Sequence, residues 1–372
     1  MPERPTKICF ISLNAYPLFD KSSDGIQGGA EVDSYMIATK LAEDNRFEVH
    51  FVTGDFGQPD TVSFENVTIY KTTRLKSKFR SILSIWSALK KADCDIYFKK
   101  GASLITTIVA MFCRVHKKIF ILRTSHKSEC DGTYMNSQFL KGKAYKWALK
   151  IAKQVFVQNA QDCESLLQTS GVQSIAIPNG HRITDTSDSE RKWILWVGRS
   201  IAFKRPDLFI KLAEKFPSEQ FLMICQSSSG DHNINRPVKQ NELKIKAQAL
   251  SNIKFIDHVP FHEIDSYFLQ AKLFINTSDK EGFPNTFIQA CKCKTPILSF
   301  NVNPDDFLDN NKCGMCANGD WQSFKENLAL LLEPENQKQY GENGRQYVIK
   351  NHNINSTIEK YKNAFLQIMQ SR

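Results

Sequence analysis

Residues 281–290 place a carboxylate, a proline and an amide directly after an apolar run at 272–278. The apolar run predicts a buried strand. Pro284 predicts the start of a helix, because a proline in the first helical turn loses no hydrogen bond. The unpaired amides of such a turn can hold a diphosphate, while Glu281 can accept hydrogen bonds from sugar hydroxyls and Gln289 can reach a ribose. We therefore predict a nucleotide-sugar pocket that also includes Gly282, Phe283, Asn285 and Thr286; the alternative is an ordinary strand–loop–helix connection.

The segment resembles the signature of the family-4 retaining glycosyltransferases, in which two glutamates are separated by seven residues. The first position here is Glu281, and the second holds Gln289. Glutamine keeps acceptor capacity and adds two donors, so it also suits a ribose. The resemblance covers essentially the whole chain. It implies an α/β fold of the GT-B type, with two facing Rossmann-like domains and mostly parallel sheets, and a retaining transfer from a nucleotide-diphosphate sugar.

A basic pair, Arg199 and Lys204, follows a predicted strand and precedes a predicted helix. Members of the family place an arginine and a lysine at this separation against the donor diphosphate. Negative charge grows on the leaving phosphate as the glycosidic bond breaks, and two fixed cations stabilise that charge without a metal. The resemblance therefore implies that Arg199 and Lys204 act on the donor phosphates and that neither a metal nor another cofactor is needed. The alternative is a solvated basic turn.

Two further candidates lie in the first half of the chain. Gly28 and Gly29 open the first long helix, where the backbone can come close to a phosphate. In the family such a glycine pair lies under the donor phosphates. His126 follows a predicted strand end, and relatives often carry a histidine there, near the donor sugar. We expect His126 to bind the sugar or orient the acceptor rather than to act as a base, although a structural role is equally open.

Short β-branched and aromatic runs alternate with helical patterns along the chain. This alternation predicts mostly parallel sheets. The predicted strands are residues 7–13, 47–53, 67–71, 95–99, 119–124, 154–158, 174–178, 193–197, 221–225, 254–257, 273–276 and 296–300.

We predict two domains, separated near the polar stretch 184–192. The first, residues 1–183, faces the acceptor and is completed by an amphipathic C-terminal helix at 354–372, which crosses back to the first domain in relatives. The second, residues 184–353, binds the donor.

The charge of the chain is unevenly distributed, although its formal net charge is +10. Residues 67–153 hold 19 lysines and arginines against 4 acidic residues, while residues 1–66 hold 5 against 11. A basic region of this kind predicts an anionic partner. We expect an anionic membrane surface rather than nucleic acid, because no nucleic-acid recognition module is apparent.

Within this basic region, residues 75–89 carry apolar side chains at helical spacing, flanked by Arg74, Lys76, Lys78, Arg80, Lys90 and Lys91. The stripe predicts a helix packed on the core, or a membrane-surface helix, and both can hold if the basic face points outward to lipid headgroups.

No apolar run is long enough to cross a bilayer, and the first residues do not resemble a signal peptide. We therefore expect a cytoplasmic protein, peripheral on the cytoplasmic face of the membrane, whose ten cysteines are reduced.

Two patterns suggest metals, Asp93-Cys94-Asp95 and the cysteines at 291, 293, 313 and 316. The first precedes its strand and the second lacks a convergent pair, so we expect no metal site.

Together these features predict a retaining glycosyltransferase of hexosyltransferase type. The expected partners are a nucleotide sugar and a glycan or lipid-linked acceptor in cell-surface polysaccharide biosynthesis. A sugar-nucleotide epimerase on the same fold and a non-catalytic nucleotide-sugar-binding protein remain alternatives. Incubation of a labelled donor without acceptor would reveal the epimerase, because isomerised sugar would accumulate. A dinucleotide-dependent oxidoreductase is disfavoured, because the glycine fingerprint is incomplete.

Overall fold

A computed structural model describes residues 4–23, 25, 28–73, 78–137, 139–183, 189–227 and 238–371. Side chains are described for the same residues, apart from Lys78 and Phe79. Of the predicted features above, Arg74, Leu75, Lys76 and the beginning of the polar stretch at 184–188 lie outside the described residues.

The chain divides into two units. The first consists of Met1–Arg182 and Asn353–Arg372, and the second of Ile183–His352. The domain limits that we expected from the sequence, 183 and 353, lie one residue beyond these.

The first unit is built on an eight-stranded sheet with the order β3-β4-β2-β1-β5-β6-β7-β8. All neighbouring strands are parallel except the edge pair β3 and β4. The strands are β1 (Thr6–Ile11), β2 (Phe47–Thr53), β3 (Thr61–Phe64), β4 (Val67–Lys71), β5 (Ile96–Lys100), β6 (Ile119–Arg123), β7 (Gln154–Val157) and β8 (Ile175–Ala176).

Helices cover both faces of this sheet. They are α1 (Tyr16–Phe19), α2 (Gly29–Leu41), α3 (Lys78–Ala92), α4 (Leu104–Val115), α5 (Thr133–Ser137), α6 (Phe139–Ile151) and α7 (Ala160–Ser170), with a short 3₁₀ turn at Lys127–Glu129.

The second unit has a six-stranded parallel sheet with the order β11-β10-β9-β12-β13-β14. Its strands are β9 (Trp193–Arg199), β10 (Phe221–Gln226), β11 (Ile253–Ile256), β12 (Ala271–Asn276), β13 (Ile297–Ser299) and β14 (Gly314–Cys316). Its helices are α8 (Pro206–Lys215), α9 (Gln240–Gln248), α10 (Ile264–Leu269), α11 (Asn285–Lys292), α12 (Phe307–Asn310), α13 (Trp321–Leu331) and α14 (Pro334–Asn351), with 3₁₀ turns at Ala202–Lys204 and Pro304–Asp306.

The final helix, α15 (Ile354–Gln370), belongs to the first unit. Its apolar stripe is buried against one face of the first sheet, where Tyr361 and Phe365 pack against Phe98 and Phe156. The helical spacing seen in the sequence therefore corresponds to a core-facing stripe.

Each of the twelve predicted strands overlaps an observed strand, with ends that differ by one or two residues in most cases. The sequence analysis missed β3 and β14. β3 is an edge strand of four residues with half of its side chains exposed, and β14 has three residues, two of them glycine and cysteine. Segments this short carry too little periodicity to be recognised.

The apolar stripe at 75–89 packs mainly on the core. Ile85 and Leu89 are buried in α3, and Ile82 and Trp86 pack against the same cluster. The core-packing interpretation is therefore the correct one for this stripe.

No helix among the described residues is long and apolar enough to cross a membrane. All ten cysteines are free, and eight of them are buried.

A buried ionic network connects three elements of the first unit. Asp33 of α2 accepts hydrogen bonds from Lys100 of β5 (2.6 Å) and from Arg123 of β6 (2.9 Å), and the exposed fraction of each of these side chains is 3% or less. Arg123 also donates to Ile177 O (2.9 Å) and Asn179 Oδ1 (2.6 Å). Burial lowers the pKa of Lys100 to about 8. Burial alone would raise the pKa of Asp33, but the two cations hold it below its ordinary value.

The substitution Asp33→Asn tests how much this network stabilises the first unit. It leaves Lys100 and Arg123 buried without a countercharge, so we expect a loss of about 3–5 kcal/mol in the free energy of unfolding. Urea denaturation followed by circular dichroism measures the loss. The matched control is Asp93→Asn, because Asp93 pairs with Lys118 at the surface and should cost at most about 1 kcal/mol. Equal losses in the two variants would contradict a structural role for the network.

Candidate functional site

The order of strands in the second sheet marks one position as the expected ligand site. β9 lies between β10 and β12, so the chain leaves β9 toward one side of the sheet and continues from β12 toward the other. In open parallel sheets, ligands bind at the carboxyl ends of the strands where this reversal occurs. β9 ends at Arg199 and β12 ends at Asn276. The predicted donor residues of the second unit follow these two strand ends.

The connection from β9 to α8 is attached to the end of β12. Trp196 donates a hydrogen bond to the Thr277 hydroxyl (2.9 Å), and Thr277 donates in turn to the carbonyl oxygen of Lys204 (2.6 Å). Asp279 N also donates to the carbonyl oxygen of Phe203 (2.8 Å). These bonds fix the backbone around Lys204 against the loop that carries Glu281.

The Glu281 carboxylate is the centre of the site. Its Oε1 accepts hydrogen bonds from Lys204 Nζ (2.5 Å), Ser278 Oγ (2.6 Å) and Asn276 Nδ2 (3.2 Å). The side chains of Glu281 and Lys204 are only 12% and 17% exposed. Burial alone would raise the pKa of Glu281, but the Lys204 charge and the three hydrogen bonds hold it below its ordinary value. The group is therefore an ionised carboxylate at neutral pH.

Arg199 lies at the last position of β9, and its side chain is partly exposed. Among the residues that the structure describes, it forms no hydrogen bond or ion pair through its guanidinium group. The sequence prediction grouped Arg199 with Lys204. The structure places both on the same connection, but only Lys204 is paired with a carboxylate.

The helix that follows Glu281 begins one residue later than expected. Pro284 occupies the N-cap position with an extended backbone, and α11 begins at Asn285. Asn285 and Thr286 are half-buried, and Gly282 and Pro284 are buried. The Phe283 ring lies in the core, with its centroid 4.9 Å from that of Phe307 and 4.7 Å from that of His352. Phe283 can therefore contact a ligand only through its backbone.

Gln289 lies on α11 and is 6% exposed. Its side-chain amide forms no hydrogen bond with any other residue in the described ranges. An amide at this depth has lost most of its hydration, so a ligand that supplies partners would be stabilised there.

The predicted glycine pair lies in the first unit, after β1. Gly28 is the N-cap of α2, and its backbone N–H donates to Glu31 Oε2 (2.9 Å), so Glu31 caps the helix. Gly29 is exposed at the first helical position. β1 is the strand of this sheet from which the chain leaves toward β2, with β5 on the other side. The pair therefore lies at the corresponding reversal point of the first sheet.

His126 caps the short turn at Lys127–Glu129. Its Nδ1 accepts a hydrogen bond from the backbone N–H of Ser128 (3.2 Å) and lies 2.8 Å from the Ser128 hydroxyl. The buried Glu129 carboxylate accepts from the backbone and hydroxyl of Ser125 (3.0 and 2.7 Å). His126 thus has a structural partner at one nitrogen, and a role toward a sugar stays a prediction.

Asn276, Thr277 and Ser278 were overlooked as site residues. They orient Glu281 and Lys204, and they form the polar end of an otherwise apolar strand. Polar residues at the carboxyl end of a parallel strand were the available signal.

Neither metal pattern assembles a site. Asp93 and Asp95 form ion pairs with Lys118 and Arg4, and no three histidine, cysteine, aspartate or glutamate side chains come together within the described part of the chain.

Comparisons with known proteins agree with this architecture. Residues 181–347 match the sequence model of the family described as "Glycosyl transferases group 1". Poly(ribitol-phosphate) alpha-N-acetylglucosaminyltransferase from Staphylococcus aureus (strain COL) is 24% identical over 270 residues, which is 68% of this chain and 52% of that protein. The chain therefore spans about half the length of the curated relative that it matches.

Solved structures share the fold. Sucrose-phosphate synthase from Thermosynechococcus elongatus superposes with a TM-score of 0.80 at 16% identity, covering 99% of this chain and 100% of that one. HepE from Anabaena, solved in complex with UDP and glucose, gives a TM-score of 0.72 at 13% identity, covering 97% and 100%. The predicted α/β fold of the GT-B class is confirmed.

The ion pair predicts a change in pH dependence when Lys204 is replaced by Met. In the native protein, Glu281 contributes stability above its unfolded pKa, and this contribution is lost as the pH falls through the lower folded pKa. Without Lys204, burial dominates and raises the folded pKa. The contribution of Glu281 is then present at low pH and is lost as the pH rises.

The measurement is the melting temperature between about pH 4 and pH 7, around the ordinary pKa of glutamate. We expect the native protein to gain stability with pH and Lys204→Met to gain less or to lose it. Lys215→Met, at an exposed position on α8, should follow the native profile. Identical profiles for all three proteins would show that Lys204 does not control the ionisation of Glu281.

Proposed function

We propose that this chain, whose residues 181–347 match the group 1 glycosyl transferase family, is a metal-independent retaining glycosyltransferase that uses a nucleotide-diphosphate sugar. The observation that carries the proposal is the site at the ends of β9 and β12, where two cations and an ionised carboxylate follow adjacent parallel strands. A diphosphate needs cations, and a sugar ring needs a hydrogen-bond acceptor that stays charged.

In the proposed reaction, Arg199 and Lys204 bind the donor diphosphate. The bond between the anomeric carbon and the phosphate oxygen breaks, and the two cations stabilise the charge that grows on the leaving diphosphate. The acceptor hydroxyl attacks the anomeric carbon from the same face, and its proton passes to the leaving phosphate. Glu281 orients the donor sugar, and no residue acts as a covalent nucleophile.

Backbone groups at Gly282, Phe283, Pro284, Asn285 and Thr286 complete the donor site in this proposal, with the first-turn amides of α11 directed at phosphate. Gln289 provides donors and an acceptor for the ribose. For Gly28 and Gly29 the proposal keeps the close backbone approach to phosphate that the resemblance implies, and for His126 a role in positioning sugar or acceptor.

The acceptor that we propose is a glycan or lipid-linked chain in cell-surface polysaccharide synthesis, at the cytoplasmic face of the membrane. Two observations support it. The curated relative is named for a poly(ribitol-phosphate) acceptor, and residues 67–153 carry 15 more positive than negative charges. Uridine is the base to test first, because HepE was solved with UDP.

Nucleotide binding tests the donor site directly. We expect UDP, without metal, to raise the melting temperature of the protein, since a ligand that binds only the folded state stabilises it by about 2.7 kcal/mol at 100 times Kd. Arg199→Ala and Lys204→Ala should each weaken binding by roughly 10- to 100-fold, the equivalent of one charge-assisted hydrogen bond. Lys215→Ala is the matched control and should behave like the native protein.

Magnesium should leave the shift unchanged. If UDP, GDP, dTDP and CMP all fail to stabilise the protein, the donor site is assigned incorrectly. If a nucleotide stabilises the protein equally in the arginine, lysine and control variants, these two cations do not hold the diphosphate.

For membrane attachment we propose the outer face of α4 and α6, two helices that pack against each other. Phe139 and Leu140 at the start of α6 are 72% and 78% exposed. The exposed lysines of α6 accompany them, at positions 141, 143, 146 and 150. Exposed apolar side chains beside lysines match a surface that has anionic headgroups over an acyl layer.

Co-sedimentation with vesicles tests this face. We expect the native protein to bind vesicles that contain phosphatidylglycerol and to bind neutral vesicles much less. Phe139→Ser combined with Leu140→Ser should reduce binding roughly tenfold, because both apolar side chains are lost from the interface. Ile245→Ser is the control, since Ile245 is 68% exposed on a helix of the second unit. Equal binding by all three proteins would rule out this face.

A further inference from the structure

A groove of about 420 Å³ runs along α3 on the first unit. α3 forms one wall, and the end of β4 with the start of β3 forms the other. Three cations line it, Lys71, Arg80 and Lys91, against a single carboxylate, Asp60. The lining therefore carries an excess of two positive charges. Nothing in the donor chemistry proposed above uses these residues.

The cations of the groove differ in their partners. Lys71 donates to Gln58 O (2.9 Å) and lies 3.3 Å from Asp60. Arg80 and Lys91 are exposed, and neither forms a hydrogen bond or ion pair with another residue in the described portions of the chain. Two uncompensated cations on the same groove attract an anionic ligand.

The spacing of the α3 residues gives the groove a direction. Arg80, Ser84, Ser87 and Lys91 follow one another at intervals of four, three and four positions, so they lie on one helical face. At 1.5 Å per residue, the two cations are about 16 Å apart along the helix. This distance exceeds the size of a single phosphate and suits a chain with repeated anionic groups.

Hydroxyl groups occupy the space between the two cations. Ser84 accepts from the backbone and hydroxyl of Thr73 (both 2.8 Å), which fixes the start of α3 against the end of β4. Ser87 forms no hydrogen bond with other described residues, so its hydroxyl is available to a ligand. None of the described residues that line the groove is aromatic, so none of them offers a ring on which a base could stack. Its chemistry matches a polyol whose units are joined by phosphodiesters.

The groove begins at the carboxyl edge of the first sheet. β4 is parallel to β2 and ends at Lys71, on the carboxyl edge of the sheet, the same edge at which α2 begins with Gly28. α3 leaves from that edge and passes back along the sheet. A chain that lies in the groove therefore extends away from the edge at which ligands bind in such sheets.

We propose that this groove binds successive phosphodiesters of a polyol-phosphate acceptor chain. The repeats bound there are neighbours of the repeat that receives the sugar. The inference rests on the proposed function, because it assumes a polymeric acceptor. Binding at the groove raises the local concentration of neighbouring acceptor units, so longer chains bind more tightly until the groove is filled.

Direct binding of defined oligomers tests the groove without any turnover. The probes are glycerol-phosphate oligomers of one, two, four and eight units, measured with the full chain by isothermal titration calorimetry. We expect affinity to rise with length and to fall with added salt. Arg80→Gln combined with Lys91→Gln should weaken the longest oligomer roughly tenfold and the single unit, which reaches only one of the two cations, by less. Lys90→Gln is the matched control, because Lys90 is exposed on α3 but does not line the groove.

Stabilisation by UDP is measured on the same proteins and should be equal in all of them, which shows that the variants are folded. Oligomer binding that does not depend on length, or that the double variant retains in full, overturns the proposal. Loss of binding to phosphatidylglycerol vesicles in the double variant, with no binding of oligomers by the native protein, would assign the groove to lipid headgroups and also overturn it. Oligomer binding without any stabilisation by nucleotides would contradict the proposed donor site and leave the groove intact.

Discussion

Each unit withdraws ionised groups from water at the ends of its parallel strands, and such a group is tolerated only where opposite charge or several donors surround it. In the second unit, Glu281 meets this condition with Lys204, Ser278 and Asn276 on one oxygen atom. In the first, Asp33 meets it with Lys100 and Arg123. The ion pairs among these contacts join residues far apart in the sequence. They fix the loops after β9 and β12 and the start of α2, so the geometry of both strand-end regions depends on them.

The same condition separates structural polar groups from candidate ligand contacts. Most buried polar side chains near the strand ends have protein partners, as Thr277 and Asn276 do. Arg199 and Gln289 form no such bond within the described ranges, although one is partly and the other almost fully withdrawn from water. Unmet hydrogen-bonding capacity is costly in a folded protein unless a ligand supplies it. Both residues lie at the reversal point of the sheet, where that ligand is expected.

The sequence predicted all strands but β3 and β14 because their apolar runs are bounded by turns, and it predicted the final helix because apolar residues recur there at helical spacing. It also singled out Lys204 and Glu281, but not their contact, since 77 positions separate them and only the order of strands brings them together. The supporting role of Ser278 was missed although Ser278 is only three positions from Glu281, because residues 276–278 were taken only as the end of an apolar strand. For the face formed by α4 and α6, the sequence indicated only the excess of positive charge. It did not indicate that Phe139 and Leu140 are exposed, because exposure depends on tertiary packing.

The Lys204–Glu281 ion pair stabilises the charged side chains of the proposed donor site when no donor is bound. Without a diphosphate or another countercharge, a charged lysine must be solvated, because burial alone disfavours its charged form. Glu281 supplies this countercharge as long as no diphosphate is bound. When a diphosphate takes over Lys204, the carboxylate keeps its hydrogen bonds from Ser278 and Asn276. Because the Lys204 charge remains nearby, the carboxylate stays ionised, and it becomes free to accept from a sugar hydroxyl. The two roles that we assign to these residues are consequently linked, because binding of the phosphate releases the group that orients the sugar.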